Sequence, residues 1–120
     1  MLIEELLNLA GWLGQQTMER LKQKAGEYSD GFDCLGHLKR SGRGVKLHPL
    51  TAGSVLLDKH ILAIYNRFCP MPKEFDYEFL RERIIDAMCF LCLLYALGLE
   101  ELEQRKEAED GERDTSDRNG

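Results

Sequence analysis

The chain has 120 residues, 43% of them apolar, with 16 basic and 21 acidic side chains and a net charge of −5. That length holds one hydrophobic core rather than two, and the apolar share excludes a generally disordered polymer. The acidic balance excludes a protein whose whole surface attracts nucleic acid or anionic membrane.

The charge is unevenly spread. From Cys34 to Leu57 there is no acidic residue, while Lys39, Arg40, Arg43 and Lys46 lie there with His37 and His48. From Glu103 onward the chain carries seven acids against four bases.

Leu2, Leu6, Leu9, Leu13 and Leu21, with Ala10 and Met18, form a helical stripe that predicts a helix from residue 2 to about 25. Gly26 is its expected stop, with Lys22 and Lys24 in the final turn. The segment Tyr28 to Arg40 has room for one short helix capped by Ser29 or Asp30, and "SGRGVKLHP" reads as a loop.

A second long helix is predicted to begin near Thr51, with Leu57, Ile61, Ile64, Tyr65 and Phe68 on one face, and "CPMP" ends it. "KEFDYEFL" restarts a helix, with Asp76 as its cap. Phe79, Leu80, Ile84, Ala87, Met88, Leu91 and Tyr95 carry that stripe to about Glu103. Beyond Asp86 the helix is apolar on every side, which calls for other helices or a partner subunit around it. The tail from Arg105 has no apolar periodicity and is expected to be disordered.

These elements predict an all-α protein: an antiparallel bundle of about four main helices over 1–104, followed by a disordered acidic tail, 105–120. Glu4 and Glu5 stand where a secretory leader would be cationic, and the longest apolar run, Ala87 to Leu99, is too short to span a bilayer. With four cysteines in such a chain, reduced thiols and a cytoplasmic location are expected. "CFLC" (Cys89, Cys92) sits inside a leucine-rich helix and reads as core, as do Trp12, Phe68, Phe75, Phe79 and Phe90.

Three features carry possible chemistry. Glu78, Glu82 and Asp86 are spaced i, i+4, i+8, so one helix face holds three carboxylates that repel one another. Asp86 borders the apolar half of the helix and needs a cation, donors or a raised pKa. The common solution is pairing with Arg81, Arg83 or Arg67; the chemically sharper one is a divalent ion shared by Glu82 and Asp86. On the preceding helix Asp58 could join such a metal site and Lys59 could meet a phosphate, although a solvated face explains both; His60 beside them is ambiguous and is not assigned as a ligand. The loop Lys39–Gly44, with two glycines and three cations, suits polyphosphate but lacks the spacing of a P-loop.

"EYSDGFDCLGHLKR", "LLDKHILAIYNR" and "RERIIDAMCFLCLLYAL" together resemble small phage and bacterial proteins of the MazG-like all-α nucleotide pyrophosphohydrolase superfamily, in its short branch associated with nucleotide modification. The likeness covers about residues 20 to 98. It runs through Lys24 with Tyr28, Phe32 with Leu35, Lys39 with Arg40, then Lys59 and Asp86. The resemblance implies a homo-oligomeric bundle that holds Mg²⁺ on helix carboxylates and converts a nucleoside triphosphate to monophosphate and pyrophosphate. It assigns Glu82, Asp86 and Asp58 to metal, Lys59, Lys39 and Arg40 to phosphate, and Tyr28 and Phe32 to the base. The sequence departs from the larger superfamily, whose Glu-Glu-x-x-Glu helix faces Glu-x-x-Asp. Here Asp58–Lys59 and Glu82-x-x-x-Asp86 stand instead, a reduced acidic set that suits nucleotide binding without hydrolysis as well as catalysis. The alternative from another class is a non-catalytic phage-type helical interaction module.

Overall fold

The computed structural model describes residues 1–28, 39 and 48–119, with Gly26, Tyr28 and residues 114–119 described by their backbone alone. Among the described residues three helices are delimited: α1 (Ile3–Tyr28), α2 (Pro49–Phe68) and α3 (Tyr77–Asn119). The all-α expectation holds. The predicted short helix between Tyr28 and Arg40, which would make a fourth, lies outside the described residues, as does most of the predicted glycine loop.

α1 opens with Glu4 and Glu5 in its first turn, where the helix dipole favours acids. Glu5 Oε2 also accepts the Leu2 backbone N–H at 2.7 Å. The helix runs through Gly26 instead of stopping there. A single interior glycine costs about 1 kcal/mol relative to alanine, too little to break a helix of this length by itself. With the end at Tyr28, Lys22 and Lys24 fall before the last turn.

α2 starts two residues earlier than periodicity suggested, because His48 and Pro49 form its entry. His48 Nδ1 accepts the Leu50 N–H at 3.1 Å, and Pro49 occupies a first-turn position where a missing N–H costs nothing. Pro70 forces Cys69 into extended backbone, φ −121° and ψ 142°, which closes the helix as expected. The turn into α3 is tied at both ends. Arg67 Nη1 donates to the Glu74 carbonyl at 2.6 Å, and Lys73 N–H to the Arg67 carbonyl at 2.8 Å. Phe68 and Phe75 meet edge to face, their centroids 4.8 Å apart. Asp76 caps α3 as its sequence position predicts: Oδ1 accepts the Phe79 N–H at 2.7 Å.

α3 is the shared spine. α2 lies antiparallel on it, with Leu50 by Leu97, Gly53 by Leu94, His60 by Phe90 and Arg67 by Phe79. A Cβ on Gly53 would sit 3.0 Å from Leu94 Cδ2, so the missing side chain sets how closely the two helices approach. Phe90 and Leu97 are buried here, with Leu50, Leu56, Leu57, Leu93 and Ala96 packed around them. Burial of each such large side chain contributes roughly 1.5–3 kcal/mol.

α1 runs in the same sense as α3 and is held over a shorter stretch. Thr17, only 4% exposed, donates its hydroxyl to the Leu13 carbonyl at 2.7 Å and lies 3.8 Å from Met88 Sδ. The buried Cys89 thiol faces the Thr17 carbonyl at 3.8 Å, and burial raises its pKa. This confirms Cys89 as core; Cys92 is exposed. Among the described residues α1 and α2 make no close backbone approach.

Two sequence expectations need correction. α3 is not surrounded: Leu91, Tyr95 and Leu99 are at least half exposed, because only two helices among the described residues pack on it. Nor does it stop near Glu103. It continues as helix to Asn119, passing through Gly111 as α1 passes through Gly26, since no proline interrupts the polar segment, and an Arg105 to Glu101 pair at 3.2 Å, four residues apart, bridges the expected boundary. Residues 102–113 are all exposed. Trp12 and Phe75 are likewise more than a third exposed, while Phe90 is core. Among the described residues no helix is long and apolar enough to cross a membrane.

Candidate functional site

A set of polar residues from all three helices lies along the middle of α3, where α1 and α2 each pack on it. α1 contributes Arg20 and Lys24, which fall on the core-facing stripe that begins with Leu13 and Thr17. α2 contributes Lys59 and His60, and α3 contributes Glu82, Arg83, Asp86 and Phe90.

Arg20 holds the two carboxylates. Its Nη2 donates to Glu82 Oε2, and its Nη1 to Asp86 Oδ1 at 3.1 Å and to the Glu82 carbonyl at 3.4 Å. Arg81 Nε donates to the other Glu82 oxygen at 3.2 Å. A guanidinium fork resolves both problems read from the sequence, the i, i+4 repulsion and the placement of Asp86 against the apolar half of the helix. Of the arginines expected to do this, Arg81 takes part. Arg67 and Arg83 instead stack toward Phe79, at 4.4 and 6.0 Å from its ring centre.

That arrangement does not fit Mg²⁺. A divalent ion wants several unclaimed oxygens in near-octahedral order. Here both Glu82 oxygens and Asp86 Oδ1 serve arginine, and Asp58 is exposed on α2. Among the described residues no three His, Cys, Asp or Glu side chains form a group that could hold a metal.

His60 is the residue the sequence left undecided. Its ring stacks on Phe90 at 5.2 Å between centroids, and Lys24 Nζ stands 5.5 Å from the centre of the same Phe90 ring. The Nδ1 atom of His60 is sealed from solvent and has no hydrogen-bond partner among the described residues. Burial lowers the pKa of the ring below that of an ordinary histidine. The nearby Asp86 charge opposes that shift, and Arg83, Lys59 and Lys24 reinforce it. The imidazole is therefore neutral, amid three cations and one carboxylate. An unsatisfied buried nitrogen of this kind costs about 1–3 kcal/mol.

The other expected site residues divide. Lys59 reaches this set by charge and is exposed, so it is open to an anion. Lys39 does not reach it: its Nζ pairs with Glu100 Oε2 at 2.6 Å, and Glu100 lies fourteen residues beyond Asp86, roughly 21 Å along the helix. Arg40, Phe32 and the Tyr28 side chain lie outside the described residues. Arg20 was not singled out from the sequence, and Lys24 and Arg83 were given no ligand role there. The available signal for the first two was a cation at a position of the α1 stripe where the pattern calls for an apolar side chain. The chain matches no protein-family model, no curated protein and no solved structure.

Proposed function

We propose that this protein binds a nucleotide by its phosphates at the polar set along the middle of α3, as a non-hydrolytic relative of the MazG-like all-α pyrophosphohydrolases. The observation that carries the reading is that His60 and Lys24 meet on the Phe90 ring from two different helices, with the charges of Lys24, Lys59 and Arg83 all felt at His60, whose buried Nδ1 has no hydrogen-bond partner among the described residues. Cations drawn from three separate helices act on one histidine here, and a phosphate group is a common biological anion that such a set would bind. The resemblance carried by "LLDKHILAIYNR" and "RERIIDAMCFLCLLYAL" supports the same ligand class through Lys59 and Asp86. Hydrolysis and Mg²⁺ are left out of the reading because Glu82 and Asp86 are already engaged by arginine.

The test is thermal unfolding of the full chain with inorganic pyrophosphate and a panel of nucleoside triphosphates, each with and without Mg²⁺. A ligand at one hundred times its Kd adds about 2.7 kcal/mol, a shift of several degrees for a domain of this size. Lys59→Ala, an exposed change, removes most of that shift. Unchanged melting with every phosphate compound overturns the reading. A shift that appears only with Mg²⁺ and is lost in Asp86→Asn restores the metal-dependent hydrolase.

The second reading, a non-catalytic helical interaction module, is favoured by a different observation. Every residue from Met1 to Trp12 is exposed, although the segment is rich in leucine.

A further inference from the structure

Leu9, Trp12 and Leu13 are spaced i, i+3, i+4 on α1, and Tyr77, Leu80 and Ile84 share one face of the first two turns of α3. α1 is tied to α3 through Thr17 and Arg20. On the N-terminal side of those contacts the two faces line a groove of about 520 Å³. That volume falls within the ~300–1,000 Å³ of small-molecule sites, which join apolar walls to a few placed polar groups. The aromatic walls come from different helices, with Trp12 37% and Tyr77 65% exposed.

Polar donors line the same groove. Arg81 gives its Nε to Glu82 Oε1 at 3.2 Å and sets its guanidinium carbon 5.3 Å from the centre of the Tyr77 ring. Its two terminal nitrogens make no hydrogen bond among the described residues. Neither does the side-chain amide of Asn8, which lines the groove from α1.

We propose that this groove is a binding site for a small aromatic monocarboxylate. The carboxylate pairs end-on with the terminal nitrogens of Arg81, with Asn8 as a second donor, and the ring lies against Trp12 over Leu80 and Ile84. Three features select that class. A guanidinium whose Nε is already used still presents two parallel N–H groups, the spacing a carboxylate matches. A ring packed on an indole by offset or edge contact gains more than its buried area alone supplies. The charge balance suits a single negative charge: Glu82 partly offsets Arg81, and Glu5, whose Oε2 accepts the Leu2 N–H at 2.7 Å, lines the same groove. A polyphosphate would be repelled by both acids, so the groove differs in chemistry as well as in place from the polar set around His60.

Trp12 is the only tryptophan of the chain, so its emission reports on the groove directly. The full chain is titrated with 3-phenylpropionate, with the neutral 3-phenylpropanamide, and with nonanoate, the open-chain acid of equal carbon count. The aromatic acid is expected to change Trp12 emission saturably below about 1 mM, and the other two compounds to bind at least about tenfold more weakly. Arg81→Gln is expected to weaken the acid at least about tenfold while leaving the amide unchanged. Asn8→Ala is expected to weaken it several-fold with helical circular dichroism intact.

No saturable change below that concentration overturns the proposal. So does equal binding of the acid and either control, or an Arg81→Gln chain that binds the acid as the wild type does. Trp12 emission that follows protein concentration and ignores the acid would put a second copy in the groove and also overturns it. If Arg81→Gln fails to fold, the acid–amide comparison on the wild type and the Asn8→Ala titration decide. Displacement of the acid by pyrophosphate would merge the two sites and contradict the proposal. The phosphate reading stands or falls on pyrophosphate alone.

Discussion

Arg20 Nη1 lies 3.1 Å from Asp86 Oδ1, so a cation from the first helix neutralises the carboxylate at the edge of the core of the third. The pair joins helices that otherwise meet mainly at Thr17, and it keeps two i, i+4 carboxylates from repelling each other.

Removing that cation leaves Glu82 and Asp86 without their shared partner. Arg20→Ala is expected to lower unfolding stability by about 1–2 kcal/mol, discounted from a fully buried pair because Glu82 is more than a third exposed. Arg20→Ala combined with Glu82→Gln and Asp86→Asn should recover much of the loss. Urea denaturation of the single and triple variants checks this, and an equally unstable triple variant would count against the electrostatic account.

The helices were legible because their apolar stripes are regular, and Asp76 was legible as a cap because a short acceptor preceded an apolar run. The pairing of Glu82 and Asp86 with arginine was also legible in kind, through the repulsion it had to relieve. Its main partner was not. Arg20 lies more than sixty residues away in sequence, and only the relative placement of α1 and α3 brings it across. His60 was ambiguous for the same reason: its character comes from Phe90, Lys24 and Arg83, all on other helices. The helical extension past Glu103 was missed because polar composition was read as disorder, although its residues are good helix formers with an i, i+4 pair at its start.

His60 sets a pH dependence. In the unfolded chain it titrates near 6.5, and in the fold its pKa is lower. Above 6.5 both states carry a neutral ring and nothing changes. As pH falls below 6.5 the unfolded state takes up the proton first, so stability declines until the folded pKa is passed and then levels. Urea midpoints at pH 7.5 and 5.5 should therefore differ more for the wild type than for His60→Gln. Equal differences in the two proteins would show that His60 does not titrate as described.

Gly53 allows α2 to lie close on α3. Gly53→Val adds two methyl groups where a single Cβ already comes within 3.0 Å of Leu94. A loss of about 1–3 kcal/mol is expected, seen as a lower melting temperature. A variant as stable as the wild type would mean that the two helices can separate at no cost.

The extension of α3 beyond the bundle is exposed from residue 102 to 113. Truncation after Gln104 should leave the melting temperature within about 2 °C of the full chain, since exposed helix contributes within about 0.5 kcal/mol. It should reduce the circular dichroism signal at 222 nm in proportion to the helix removed. A large fall in melting temperature would place a stabilising contact on that segment.

The most direct test of the central claim is a proton NMR titration of the histidine ring signals with inorganic pyrophosphate at constant pH. The account predicts that the His60 resonances move saturably while those of His48, which is committed to Leu50 and Glu101 at the far end of α2, stay in place. His60 signals that remain still throughout the titration would contradict it.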